Sequence, residues 1–298
     1  MLNFYVRRLA AALWQIGAAS LLCFLLFHIV PGDYYSAELY QPQANPAQVA
    51  AARHAAGLDL PWYSQYGAWV ASCWAGEGGR SLAYQTPALP LVAARLGPTL
   101  QIALPALAGA WCLGLALGLV AARQRWLILA AEPLAVTLLL VPDAVAISLL
   151  LWLAVWLGWP VSGAGLPRWG VLASLLPVVF LHASGGLWQA ADLPFVQLAR
   201  SRGVQGWRLW RRLILPAAAS PLVSLAGLTV AQAIGSAMLV EMLTGWPGLG
   251  PLFLESVQAR DYPVVLVVIL LLAAIMAVAN LVADLALYQL DPRIREPQ

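Results

Sequence analysis

The chain has 298 residues, 62% of them hydrophobic and 10% charged, with a formal net charge of +3 and a mean hydropathy of +0.78. Soluble domains carry roughly a quarter of their residues as charges, so a water-soluble globule is excluded. All 16 basic residues are Arg and none is Lys; a Gly-rich phosphate loop needs its Lys to reach the β and γ phosphates, so this chain cannot carry one.

A hydrocarbon layer of about 30 Å takes roughly 20 apolar residues to cross. The sequence offers about six such runs, near 9–30, 99–121, 127–157, 169–188, 217–240 and 262–288, which predicts an all-α membrane protein. The first run is too long for a signal-peptide core and ends in Phe27, His28, Ile29, Val30 and Pro31 rather than in small residues, so it is expected to stay as a span.

Residues 31–95 form an outer loop region long enough to carry a small fold of its own. Its aromatics, Trp62, Tyr63, Tyr66, Trp69, Trp74 and Tyr84, suit either an interfacial belt or a substrate platform. The third run is overlong and is expected to tilt or break at Pro142. Asp143 beside it, and Glu241 at the end of the fifth span, are acids at membrane depth. Each is either part of a translocation path or one end of an interhelical hydrogen bond. His182 and Asn280 read as structural hydrogen-bonding groups.

Segment 190–216 reads as a helix-turn-helix hairpin at the membrane surface. Asp192 is placed to cap a helix ahead of Pro194, which runs to Arg202 and breaks at Gly203. A second short helix would set Val204, Trp207, Trp210, Leu213 and Ile214 against Arg208, Arg211 and Arg212. Composition alone also allows a basic anchor lying on lipid.

With the N-terminus inside, 11 of the Arg residues fall on the cytoplasmic side and 5 outside, which favours both termini in the cytoplasm. The positive charge is thus a matter of topology and gives no reason to expect nucleic acid. Cys23 and Cys112 sit in apolar helices and Cys73 stands alone in the outer loop, so no disulfide framework is expected. His28, His54 and His182 are scattered, and no metal site is visible. The chain reads as one membrane domain, 1–298.

Within the hairpin, Ala199, Gly203, Leu213, Leu215 and Pro216 fall at the spacing of a cytoplasmic-loop signature. The chain resembles the permease subunits of binding-protein-dependent ABC importers that carry it. Phe195, Val196, Ala199, Arg200, Arg202, Gly203, Val204, Arg212 and Pro221 are similar to the dipeptide, oligopeptide and nickel branch. So are Trp246-Pro247-Gly248-Leu249-Gly250 with Ala259-Arg260-Asp261-Tyr262-Pro263, and the closing Leu290-Asp291-Pro292-Arg293-Ile294-Arg295. At the front, Arg7-Arg8, Pro31-Gly32-Asp33 and Gly57-Leu58-Asp59 complete the pattern. The chain departs from it at Leu181, Ser184, Leu213 and Ala217, where family members usually carry Arg, Arg, His and Asn, and at Ala144, where they carry an aromatic.

The resemblance implies a permease that binds no cofactor itself, with ATP and Mg held by partner ATPase subunits. The hairpin would couple to them through Ala199, Arg200, Arg202, Gly203, Val204, Trp207, Arg208, Arg212, Leu215 and Pro216. Trp246, Gly248, Gly250, Asp261 and Tyr262 would form a periplasmic gate or docking surface. Expected partners are a second related permease subunit, two ATP-binding subunits or domains, a periplasmic solute-binding protein and membrane lipid. The cargo is expected to be a peptide first, nickel or a metal chelate second. A stand-alone secondary transporter is the alternative, although no inverted repeats with matched broken helices are apparent. An intramembrane protease fits poorly: His182 and Ser184 are two residues apart and face different sides of a helix.

Overall fold

The computed structural model describes residues 2–36, 45–160 and 163–290. Every regular element among the described residues is helical, and the one strand-like contact is an isolated antiparallel bridge between Arg80 and Pro87. In chain order the α-helices are α1 (Leu2–Ile29), α2 (Pro46–Ala55), α3 (Trp62–Trp74), α4 (Ala88–Arg123), α5 (Arg125–Leu140), α6 (Asp143–Trp156), α7 (Gly165–Ala191), α8 (Pro194–Ser201), α9 (Gly206–Leu209), α10 (Leu215–Thr244), α11 (Leu249–Gln258) and α12 (Tyr262–Leu290).

Five helical stretches are long and apolar enough to cross a membrane, and α5 with α6 makes a sixth if counted as one broken span. These positions match the six runs expected. The break falls where proline predicts it: Val141 is extended, with ψ 121°, because the ring of Pro142 disfavours a helical residue before it. The two halves meet at 101°. The tail motif Asp291 to Arg295 lies outside the described residues.

The chain divides into two units, Met1–Leu9 with Thr99–Trp246 and Ile275–Gln298, and Ala10–Pro98 with Pro247–Ala274. In the first, close helix approach rests on small residues. A Cβ on Gly114 of α4 would stand 2.7 Å from Val179 of α7, and one on Gly118 would stand 2.8 Å from the Cβ of Ala183. Gly227 of α10 does the same for α12, with the side-chain oxygen of Asn280 only 2.9 Å from its absent Cβ. Packing across lipid-embedded helices depends on such contact, since lipid tails are as apolar as leucine and burial alone drives little. Ile102, Ile147, Val171, Leu175 and Val240 fill the space between α4, α6, α7 and α10. Arg8 and Asp284 form an ion pair at 2.9 Å.

The second unit holds α2, α3 and α11. Asn45 caps α2 by accepting from the Ala47 N–H at 3.1 Å, with Pro46 opening the helix. Trp69 is buried and donates its indole N–H to the Gly78 carbonyl at 3.1 Å. Tyr66 packs between Phe24 and Trp69, with ring centroids 5.3 and 5.9 Å away. Trp69 is therefore part of the unit's core, with Tyr66 half-buried beside it, whereas Trp62, Tyr63, Trp74 and Tyr84 are exposed. Sequence could not separate the two sets because both kinds of site select large amphipathic rings.

Candidate functional site: the surface hairpin

The hairpin is held by a turn that can be followed bond by bond. The Gly203 N–H donates to the Arg200 carbonyl at 3.0 Å and the Val204 N–H to the Ala199 carbonyl at 3.1 Å. That is the paired closure of a Schellman motif. It requires a left-handed residue just past the cap, and Gly203 supplies it with φ +85°. Gly206 adopts φ +65° and turns the chain into its second arm, a role the sequence pattern did not reveal.

Two expectations need correction. Asp192 does not open α8: it closes α7 as its C-cap, and the N-cap of α8 is Leu193, with no side-chain hydrogen bond. Pro194 at the first helical position, which needs no N–H, does the work assigned to Asp192. Nor is the second arm a separate short helix. α9 continues through one π turn, Trp210–Ile214, directly into α10. The Leu215 N–H reaches back to the Trp210 carbonyl, widening the helix one residue before Pro216, whose ring would otherwise press on the Arg212 carbonyl.

The interior of the hairpin takes up most of the face expected from helical spacing: Val204, Trp210, Leu213 and Ile214 turn inward, and Trp207 alone of that set stays exposed. Val196, Leu209 and Ile214 are buried together with Leu187 and Ala218, while Val204, Ala199, Leu213 and Leu215 pack around them half-buried. Leu209 is buried in this arm as well, and the spacing had not assigned it to that face. Phe195, Leu198 and Trp207 remain exposed, Leu198 at 52% and Trp207 at 54%. Arg200, Arg202, Arg208, Arg211, Arg212 and Pro216 are exposed as well. The hairpin thus exposes both large apolar side chains and Arg residues. Arg123, the last residue of α4, lays its guanidinium over both Trp207 and Trp210, 5.3 and 5.4 Å from the ring centroids.

The acids at membrane depth part company. Asp143, half-buried at the start of α6, accepts from the Ser236 hydroxyl at 2.9 Å, and Ser236 in turn contacts Ser174 at 3.0 Å. This chain ties α6, α10 and α7 together, as the interhelical alternative foresaw. Glu241 is fully buried, and its backbone carbonyl accepts from the Trp246 N–H at 3.1 Å.

Among the residues expected at an outer gate, Trp246 packs half-buried against the first unit's core. Gly248 is the N-cap of α11 and Gly250 lies buried in its first turn. Tyr262 meets the edge of Phe24, ring centroids 6.3 Å apart. Asp261 is fully buried. Its carboxylate accepts from the Ser81 hydroxyl and from the N–H groups of Leu82 and Ala83, each of the latter at 3.1 Å, so it organises the 81–83 turn from within. Among the described residues no group of three or more His, Cys, Asp or Glu is placed to hold a metal ion.

Comparison with known proteins decides the family. Residues 114–296 match the binding-protein-dependent transport system inner membrane component, and residues 1–94 match the N-terminal region of such membrane components. The chain belongs to that family. It is 31% identical over 306 residues to the glutathione transport system permease protein GsiC of Escherichia coli (strain K12), covering 99% of both chains. The same permease of Shigella boydii serotype 4 (strain Sb227) is 32% identical over the same coverage. Among solved structures, the MetNI methionine ABC transporter in inward-facing form shares the fold, with a TM-score of 0.54 at 16% identity, over 67% of this chain and 96% of that one. The chain is a multi-pass permease subunit of an ABC importer of the bacterial inner membrane, and it works with a partner ATPase and a solute-binding protein.

Proposed function

We propose that this permease moves a small peptide from periplasm to cytoplasm, with both termini in the cytoplasm and the 190–216 hairpin seated in the ATPase. Residues 31–95 form the periplasmic loop region of a single permease domain, 1–298. The observation that carries the coupling assignment is the exposure of Phe195, Leu198 and Trp207 on a hairpin that also exposes five Arg residues, Arg200, Arg202, Arg208, Arg211 and Arg212. Interfaces concentrate their affinity in apolar centres and take orientation from the surrounding charge.

The chain carries no Lys, so ATP and Mg are bound by partners, in an assembly of this chain, one related permease, two ATPase subunits or domains and one binding protein. ATP-driven closure of the ATPase pair then selects between two packings of the permease helices. We assign Asp143 and Glu241 to the helix walls of the translocation path, Asp143 in addition to its hydrogen bond with Ser236 and Glu241 from a buried position in α10. Trp246, Gly248, Gly250, Asp261 and Tyr262 shape the outer surface that receives the binding protein, Asp261 by holding the 81–83 turn.

The peptide reading rests on full-length similarity to a permease named for glutathione, a tripeptide. It is tested in proteoliposomes holding the complete complex, by ATPase rate and uptake with the binding protein loaded with glutathione, a dipeptide or chelated nickel. Stimulation and uptake with a peptide support the reading. A response to chelated nickel alone replaces peptide with metal as cargo.

A further inference from the structure

The first unit contains a cavity of about 520 Å³ lined by Glu132 and Val136 of α5, His182, Gly185 and Gln189 of α7, and Pro221 of α10. Glu132 stands about 10 Å along α5 from its first residue, at 1.5 Å per residue, in a helix whose other residues after Arg125 are uncharged. It is exposed. A carboxylate within an otherwise apolar span helix is costly against hydrocarbon, and such groups mark a path or a partner.

The remaining polar groups suit one kind of ligand. His182 places Nδ1 2.9 Å from the Val178 carbonyl. A carbonyl only accepts, so Nδ1 carries the hydrogen of that contact and Nε2 is left to the cavity side of the ring's hydrogen bonding. Gln189 adds a carbonyl oxygen. No Arg is among the described residues lining the cavity, so the Glu132 carboxylate shares it with the His182 ring and the Gln189 amide and with no guanidinium.

The wall is cleared for an occupant. A Cβ on Gly185 would meet nothing within 4 Å, and one on Gly186 would meet only the Pro221 ring at 3.9 Å. Adjacent glycines weaken a helix interior; here they leave space where any other residue would project.

We propose that this cavity is a station on the transport route for a cationic ammonium group, with Glu132 as counter-ion and His182 and Gln189 as acceptors. The station rests on the peptide reading for its ligand, the free amino end of a peptide.

The test uses the full chain in its reconstituted complex, with Cys23, Cys73 and Cys112 replaced and Gly185→Cys as reporter. Val136→Cys, from another wall of the cavity, is a second reporter should the first fail to assemble. Labelling rates are compared for a cationic and an anionic methanethiosulfonate of similar size. The station predicts at least a tenfold preference for the cationic reagent over the ratio seen with a free thiol. The preference collapses in Glu132→Gln. A free-amino tripeptide protects the reporter and its N-acetyl form does not.

Equal rates, a preference that survives Glu132→Gln, or reporters sealed by the second permease subunit would each overturn the proposal. A Glu132-dependent preference in a complex that neither imports nor is protected by peptide would leave the cation station standing and remove the peptide reading. Peptide import with no charge preference would do the reverse.

Discussion

Gly203 was legible in the sequence because a Gly between two amphipathic helical stretches has few other uses, and the left-handed φ of +85° found there is the reason it must be Gly. Ala at that position is expected to cost about 1 kcal/mol of the turn, lowering coupled uptake modestly. Pro cannot adopt a positive φ and is expected to abolish ATP-driven uptake while the complex still assembles; uptake and ATPase rates in proteoliposomes check both. Asp261 was also singled out from sequence, but its partners were not, because the bonds reach back some 180 residues to Ser81. Asp261→Ala leaves two backbone donors and a hydroxyl without their acceptor, at about 3 kcal/mol or more. Faster amide exchange at Leu82 and Ala83 is the expected signature.

His54 and Asp59, 2.5 Å apart, titrate as a pair. The hydrogen bond to Asp59 raises the His54 pKa, and that to His54 lowers the Asp59 pKa. The contribution of the raised His is complete below its unfolded pKa and fades as pH rises through the higher folded one; that of the lowered Asp fades as pH falls through its folded pKa. Order at the end of α2 should therefore be greatest between the two titrations. His NMR chemical shifts should show the elevated pKa, and Asp59→Asn should remove the elevation.

At the scale of elements, apolar run length and proline placement made the spans readable, down to the break at Pro142. The π turn and the continuity of the hairpin with α10 were not readable. Both depend on how the helix accommodates Pro216 while Leu209 and Ile214 bury on one side, and a periodicity count assumes a constant pitch. The contact of Arg123 with Trp207 and Trp210 was equally hidden, since 84 residues separate the first pair. It fastens the end of α4 to the second arm. Such stacking is worth roughly 0.5–2 kcal/mol. Arg123→Ala is expected to loosen the arm, changing Trp207 fluorescence and lowering uptake per ATP hydrolysed; unchanged stoichiometry would show that the contact does not transmit motion.

For the whole molecule, the absence of Lys, the Arg distribution and the hairpin signature pointed to a permease that borrows its ATPase, and full-length similarity to the family bears out the permease identity. The exposed apolar side chains of the hairpin are where that borrowed activity should be felt. The most direct measurement places a photo-crosslinking residue at Phe195, Leu198 or Trp207 in the assembled complex, with exposed Leu22 of α1 as the control. Crosslinks from the hairpin positions to the ATPase subunit, changing in yield between nucleotide-free and ATP-trapped states, are the predicted result. Crosslinks to lipid alone from all three hairpin positions would contradict the coupling assignment and leave the hairpin as a basic membrane anchor.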